Sequence, residues 1–211
     1  MGVRLPHAAV IFLVLGAPAA FGQRYARHNF EAGLGAAVPR GELKPFLGPA
    51  TTLQVGYGYR FQRYFQVDGG LETVFGAGDV RDFLETNFGP LRIRDYAFFI
   101  PMGGRAVLPL WNERIQIYGG GGGAYVRYTE LLRQPSDFVR IACPPCSSRS
   151  GWGTYAQAGF NVALDRNRLF RLGVRARMYR ATTDGDSIAG LPPVETRDRW
   201  SNVAAVFSFT F

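Results

Sequence analysis

The sequence predicts an all-β chain, an eight-stranded antiparallel up-and-down barrel that crosses a membrane with its strands. Three observations carry this. Apolar and polar residues alternate in one stretch after another, and a period of two marks a strand with two unlike faces. The connections between these stretches run long and short in turn. The last stretch, from Arg199 to Phe211, carries Val203, Ala205, Phe207, Phe209 and Phe211 on one face, against Asn202, Ala204, Val206, Ser208 and Thr210. An exposed apolar edge of that kind invites aggregation in water. In a closed barrel the last strand pairs with the first, and no edge remains.

Composition agrees with strands. The 211 residues suit one domain. Hydrophobic residues make up 47%, yet mean hydropathy is close to zero, so apolar and polar residues are interleaved. The 27 glycines, 17 phenylalanines and 10 tyrosines fit short strands with aromatic girdles better than helices. Formal charge is +8, and Lys44 is the only lysine among the cations. Such a surface attracts polyanions; the export signal described next favours a phosphorylated lipid surface and argues against nucleic acid.

Residues 1–22 read as a cleaved secretory signal, and 23–211 as the barrel. Arg4 supplies a short positive region, Ala8 to Gly16 an apolar core, and Ala17 to Gly22 the small residues that signal peptidase prefers. The apolar run is too short to span ~30 Å of hydrocarbon.

Eight strands follow in order. Arg27 to Val38 turns Phe30, Ala32, Leu34, Ala36 and Val38 outward and Glu31, Gly33 and Gly35 inward. Pro39 to Pro49 reads as a loop, from its prolines and glycines. Thr51 to Phe61 turns Leu53, Val55, Tyr57, Tyr59 and Phe61 outward. Tyr64 to Ala77 follows a tight turn, with Gln66, Asp68, Gly70 and Glu72 inward. Gly78 to Arg94 is a polar loop. Asp95 to Leu108 is the fourth strand, with Arg105 inward and a bulge or frayed end expected at Pro101, which cannot donate to the ladder. Arg114 to Tyr128 is the fifth, read as a strand rather than a linker despite Gly119 to Gly123, because Ile115, Ile117, Tyr125 and Tyr128 flank the run. Thr129 to Ser150 is the longest loop. Gly151 to Leu164 and Leu169 to Ala181 form a hairpin around Asp165 to Arg168. Thr182 to Arg197 leads to the closing strand.

Long loops at one end and tight turns at the other are the pattern of outer-membrane barrels. The inward charges are Glu31, Asp68, Glu72, Arg105, Arg171, Arg175 and Arg177. A midplane arginine facing lipid costs ~2–4 kcal/mol, so these face the lumen. An eight-stranded lumen is just filled by side chains, and buried charges there must pair. The expectation is a plugged polar lumen, with inward glycines making room for arginines.

With these features the chain resembles the small outer-membrane barrels of the OmpA-transmembrane and OmpX type, the outer membrane protein β-barrel domain family. The resemblance implies the outer membrane of a Gram-negative-type bacterium, a monomer, and contact with membrane lipid and lipopolysaccharide. It also implies that Phe207, Phe209 and Phe211 form the signal read by the barrel assembly machinery.

Candidate sites are few. Cys143 and Cys146, in the longest loop, suit a local disulfide in an oxidising compartment; contact with another chain, redox chemistry or metal binding stay open. A c-type haem would need histidine where Ser147 stands. Small outer-membrane barrels with lipid-directed enzyme activity use a histidine base; here His7 lies in the signal and His28 at the periplasmic end. No catalytic set, metal site or cofactor is expected. The arginines and lysine of the outer loops (Arg40, Lys44, Arg81, Arg92, Arg94, Arg133, Arg140, Arg149, Arg180, Arg197 and Arg199) are candidates to bind phosphate bidentately. The alternative function is a narrow channel for small apolar molecules, as in OmpW-like barrels; an inward apolar track near the top of the barrel would favour it.

Overall fold

The computed structural model describes residues 25–78, 83–86, 89–133, 141–188, 191 and 193–211. The expected signal segment, and Arg81 and Arg140 of the outer loops, lie outside them. Its strands are β1 (His28–Gly41), β2 (Ala50–Gln62), β3 (Phe65–Phe75), β4 (Phe83–Thr86), β5 (Gly89–Leu110), β6 (Ile115–Leu132), β7 (Ser148–Ala163), β8 (Phe170–Gly185) and β9 (Thr196–Thr210). All pairings are antiparallel. β1 pairs with β9 from Asn29↔Thr210 to Gly41↔Asp198, and β3 pairs with β5. Eight strands therefore close on themselves, and the fold is an antiparallel barrel.

The wall follows the side-chain alternation. On β8 burial alternates without a fault from Phe170 to Asp184: Arg171, Arg175, Arg177 and Tyr179 point into the barrel, and Leu172, Val174, Ala176 and Met178 point out. Leu34, Val55, Met102, Phe160 and Val203 stand exposed on the outer surface. An apolar exterior with a charged interior is the inverse of a water-soluble barrel and fits hydrocarbon outside. The glycine run stays in β6 without interruption. Gly122 faces Gly103 across the β5–β6 ladder, and a Cβ on Gly122 would strike the carbonyl of Met102. The run thus lets two backbones approach where side chains would collide.

Three details differ from the sequence reading. The loop from Gly78 to Arg94 contains β4, which pairs with the start of a longer β5 as a hairpin rising above the barrel. Pro101 makes no bulge. Its ladder with β6 is continuous through Pro101↔Ala124, and on the β3 side pairing lapses between Gly69↔Met102 and Glu72↔Phe99 with the register unchanged. The missing proline donor explains the lapse on that side alone. The irregularity that does shift register lies in β2, between Arg60 and Gln62.

Candidate functional site: a lumen closed in two layers and a basic outer rim

The inward residues of neighbouring strands stack into layers. On the side of the tight turns, Glu31 of β1 is the centre. It accepts a hydrogen bond from Arg105 of β5 and another from Arg175 of β8, each at 2.6 Å, and a third from Asn29 at 2.7 Å. Arg105 also pairs with Asp68 at 3.2 Å, and its guanidinium lies 4.5 Å from the centroid of Tyr118. Gln66 donates to Asp68 at 2.6 Å. One turn of side chains higher, Glu72 accepts from Arg177, Tyr179, Thr52 and Asn202 at 2.7–3.1 Å. Arg177 donates in turn to Gln157 at 3.0 Å. This network reaches seven of the eight barrel strands, through residues on β1, β2, β3, β5, β7, β8 and β9. The carboxylates and guanidiniums are buried; pairing and hydrogen bonding are what make burial of those charges tolerable.

Of the expected lumen charges, Arg171 stands apart. It is buried at the tight-turn end, where its Nη1 donates to the carbonyl of Glu113 at 2.9 Å. Arg60, which alternation along Thr51 to Phe61 turns inward but which was not counted among the lumen charges, lies beside it, 3.8 Å from the Glu113 carboxylate. His28 lies on the outer face at the same end; its Nδ1 is 2.7 Å from the Tyr57 hydroxyl, and its ring stacks on Phe211.

The upper layer corrects the expectation of a polar lumen throughout. Val74, Ala97, Phe99, Val126, Tyr128 and Trp200 fill the barrel above Glu72. Phe99 stacks on Tyr179 with centroids 4.5 Å apart and meets Trp200 edge-on at 5.8 Å. The indole N–H of Trp200 donates to the Tyr128 hydroxyl at 2.9 Å, so its one polar atom is satisfied. The signal for this layer was present: Tyr96 to Ile100 is apolar at every position, which means both faces of that stretch are apolar.

Two loops seal this layer. In the β1–β2 loop Leu47 N–H bonds to Leu43 O at 2.9 Å, a single turn that puts both leucines on one side. Both are buried, as are Ile188 and Leu191 of the β8–β9 loop. Arg149, counted by sequence among the rim cations, is 2% exposed. It is a strut instead: its guanidinium donates to Thr183 O at 2.9 Å, Val194 O at 3.0 Å and Thr196 Oγ1 at 2.7 Å. Asp198 accepts from Thr183 and Thr196. The loop is thereby fastened to the barrel mouth.

Arg40, Lys44, Arg94, Arg133, Arg180, Arg197 and Arg199 are exposed, and Arg92 is half-buried. Cys143 and Cys146 are joined as a disulfide. Among the described residues no group of three or more His, Cys, Asp and Glu is placed to hold a metal.

No family model matches the chain, and no curated protein matches it in sequence. Solved structures match nearly all of it. Neisserial surface protein A aligns with a TM-score of 0.56 at 12% identity, covering 87% of this chain and 97% of its own. The outer membrane protein OprG from Pseudomonas aeruginosa aligns with a TM-score of 0.51 at 16% identity, covering 90% and 98%. The chain has the fold of the small eight-stranded outer-membrane β-barrels. At these identities the likeness concerns the fold, and the filling of the lumen is a property of this chain's own residues.

Proposed function

We propose that this protein resides in the outer membrane as a non-enzymatic interaction barrel: its lumen is shut, and its outer rim contacts lipopolysaccharide or another surface partner. The observation that carries this is the closure in two layers. A polar path for ions meets the Glu31 and Glu72 networks, where every guanidinium is engaged with a carboxylate. An apolar path meets side chains packed around Phe99 and Trp200. The opening among Glu31, Gly56, Asp68, Pro101 and Arg177 amounts to ~10 Å³, about one water. What remains available to a partner is the rim, where cations are exposed. Planar-bilayer recording of the purified, refolded protein tests closure: a silent membrane is the expected result, and steady unitary conductance sinks the reading.

A second reading rests on one specific observation, the inward apolar layer at the top of the lumen. It is the feature an OmpW-like conduit for small apolar molecules needs. In that case the leucine-bearing loops would open outward, and molecules would leave above the charged layer. Uptake of a hydrophobic dye into lipid vesicles holding the barrel separates the two readings.

A further inference from the structure

The register of β1, β9 and β8 places three arginines side by side. Arg40 faces Arg199, and Arg199 faces Arg180. All three are exposed on the outer, lipid-facing wall. The same three strands carry Phe30, Phe209 and Phe170 in one cross-strand row near the tight-turn end. On each strand, then, a phenylalanine and an arginine bracket the same apolar length. From Phe209 to Arg199 the chain rises ~34 Å along the strand, which at ~40° tilt is ~26 Å along the barrel axis. That matches the ~25 Å apolar band of such barrels. The arginine row therefore stands at headgroup height, above the hydrocarbon.

Like charges directly opposite in a sheet destabilise it, and here three adjoin without a carboxylate between them. Among the described residues none of the three forms an ion pair. Arg40 Nε rests on Ser201 Oγ at 3.2 Å. The nearby Glu42 carboxylate accepts the backbone N–H of Arg197. Arg197 itself lies outward of Arg199 on the same face of β9 and adds a fourth cation. Neighbouring strands are ~4.8 Å apart, so the row spans ~10 Å, and adjacent guanidiniums can share one phosphate with bidentate bonds. Beneath the row come Val38, Ser201 and Met178, and below them Ala36, Val203, Ala176 and Ala158 form a cross-strand row over four strands. An apolar wall under a row of phosphate-binding cations suits a lipid with several acyl chains and more than one phosphate.

We propose that Arg40, Arg199 and Arg180, with Arg197 above them, form a docking site on the barrel wall for a multiply phosphorylated glycolipid of the outer leaflet. This rests on the reading of the protein as an outer-membrane barrel whose rim contacts lipopolysaccharide, and it assigns that contact to one sector of the wall. The test measures binding of bisphosphorylated and dephosphorylated lipid A to the refolded full chain in phosphatidylcholine nanodiscs. The wild type is expected to prefer the bisphosphorylated form. The triple variant R40Q/R180Q/R199Q is expected to bind it at least about tenfold more weakly. R94Q/R133Q, on the far side of the rim, should stay within about twofold. Equal losses in both variants, or none in the triple variant, overturn the site and leave the rim reading standing. Failure of the wild type to bind lipid A overturns both. Should the glutamine triple fail to fold, as judged by heat-modifiable gel migration, R40K/R180K/R199K preserves charge and removes the bidentate fork. A several-fold loss is then expected, and unchanged affinity overturns the site. Tighter binding of a sulfated polysaccharide than of lipid A would overturn the lipid as its occupant.

Discussion

The lower and upper halves of the lumen solve the same problem by opposite means. Below, Glu31, Asp68 and Glu72 hold Arg105, Arg175 and Arg177 in a buried lattice of charges. Above, Phe99, Tyr128, Tyr179 and Trp200 fill the same cross-section with rings. Both exclude a pore. They differ in how they fail. A buried charge that loses its partner is stranded at high cost, whereas an apolar layer that loses a ring leaves a cavity whose cost depends on how far its neighbours relax. The lower half is thus brittle and specific in register, and the upper half, beneath the loops that seal it, is adaptable.

Removing Glu31 should have the largest effect. E31L strands Arg175 and leaves Arg105 with Asp68 alone, and the barrel in lipid vesicles should lose roughly 3–5 kcal/mol on urea unfolding. E31L/D68N/R105M/R175M, which also neutralises the carboxylate that Arg105 would leave behind, should recover most of it, because a filling without charges suffices; no recovery would mean that the charges do more than fill space. F99A should cost about 3 kcal/mol by the same measurement, through loss of the contacts with Tyr179 and Trp200. A cost well under 1 kcal/mol would show the upper layer to be loosely packed.

The loop seal gives a smaller and more local effect. L191A should cost about 2 kcal/mol and should expose Trp200. With the exposed indoles removed as W111F/W152F, acrylamide quenching of the remaining tryptophan should rise on adding L191A; unchanged quenching would separate Leu191 from the closure. The smallest effect is expected for C146S. The disulfide closes a short ring within one loop, outside the paired strands, and such a ring gains little. The urea midpoint should move by less than about 0.5 kcal/mol equivalent; a larger shift would tie that loop to the barrel.

Legibility in the sequence followed the same division. The lower half announces itself, because charges that alternate with Leu172 and Val174 on β8 have only one face on which to go. The upper half is hidden, since Tyr96 to Ile100 is apolar on both faces and alternation has nothing to sort. Arg149 was misread as a rim cation for a related reason. Its type says charge, and only the bonds to Thr183, Val194 and Thr196 say strut.

What the sequence determined by itself is the wall: which stretches are strands, which face of each meets the outside, and at which end the tight turns lie. A period of two assigns faces whatever the strand pairs with. What the tertiary structure decided is everything that depends on register and closure. Glu31 meets Arg105 and Arg175 across 74 and 144 residues of chain. Leu43 and Leu191, from two different loops, join one buried cluster, and Arg40, Arg199 and Arg180 align into one row. Those neighbours are set by how eight strands shift past one another as the barrel closes, and a shift of one residue would turn each of them to the other face.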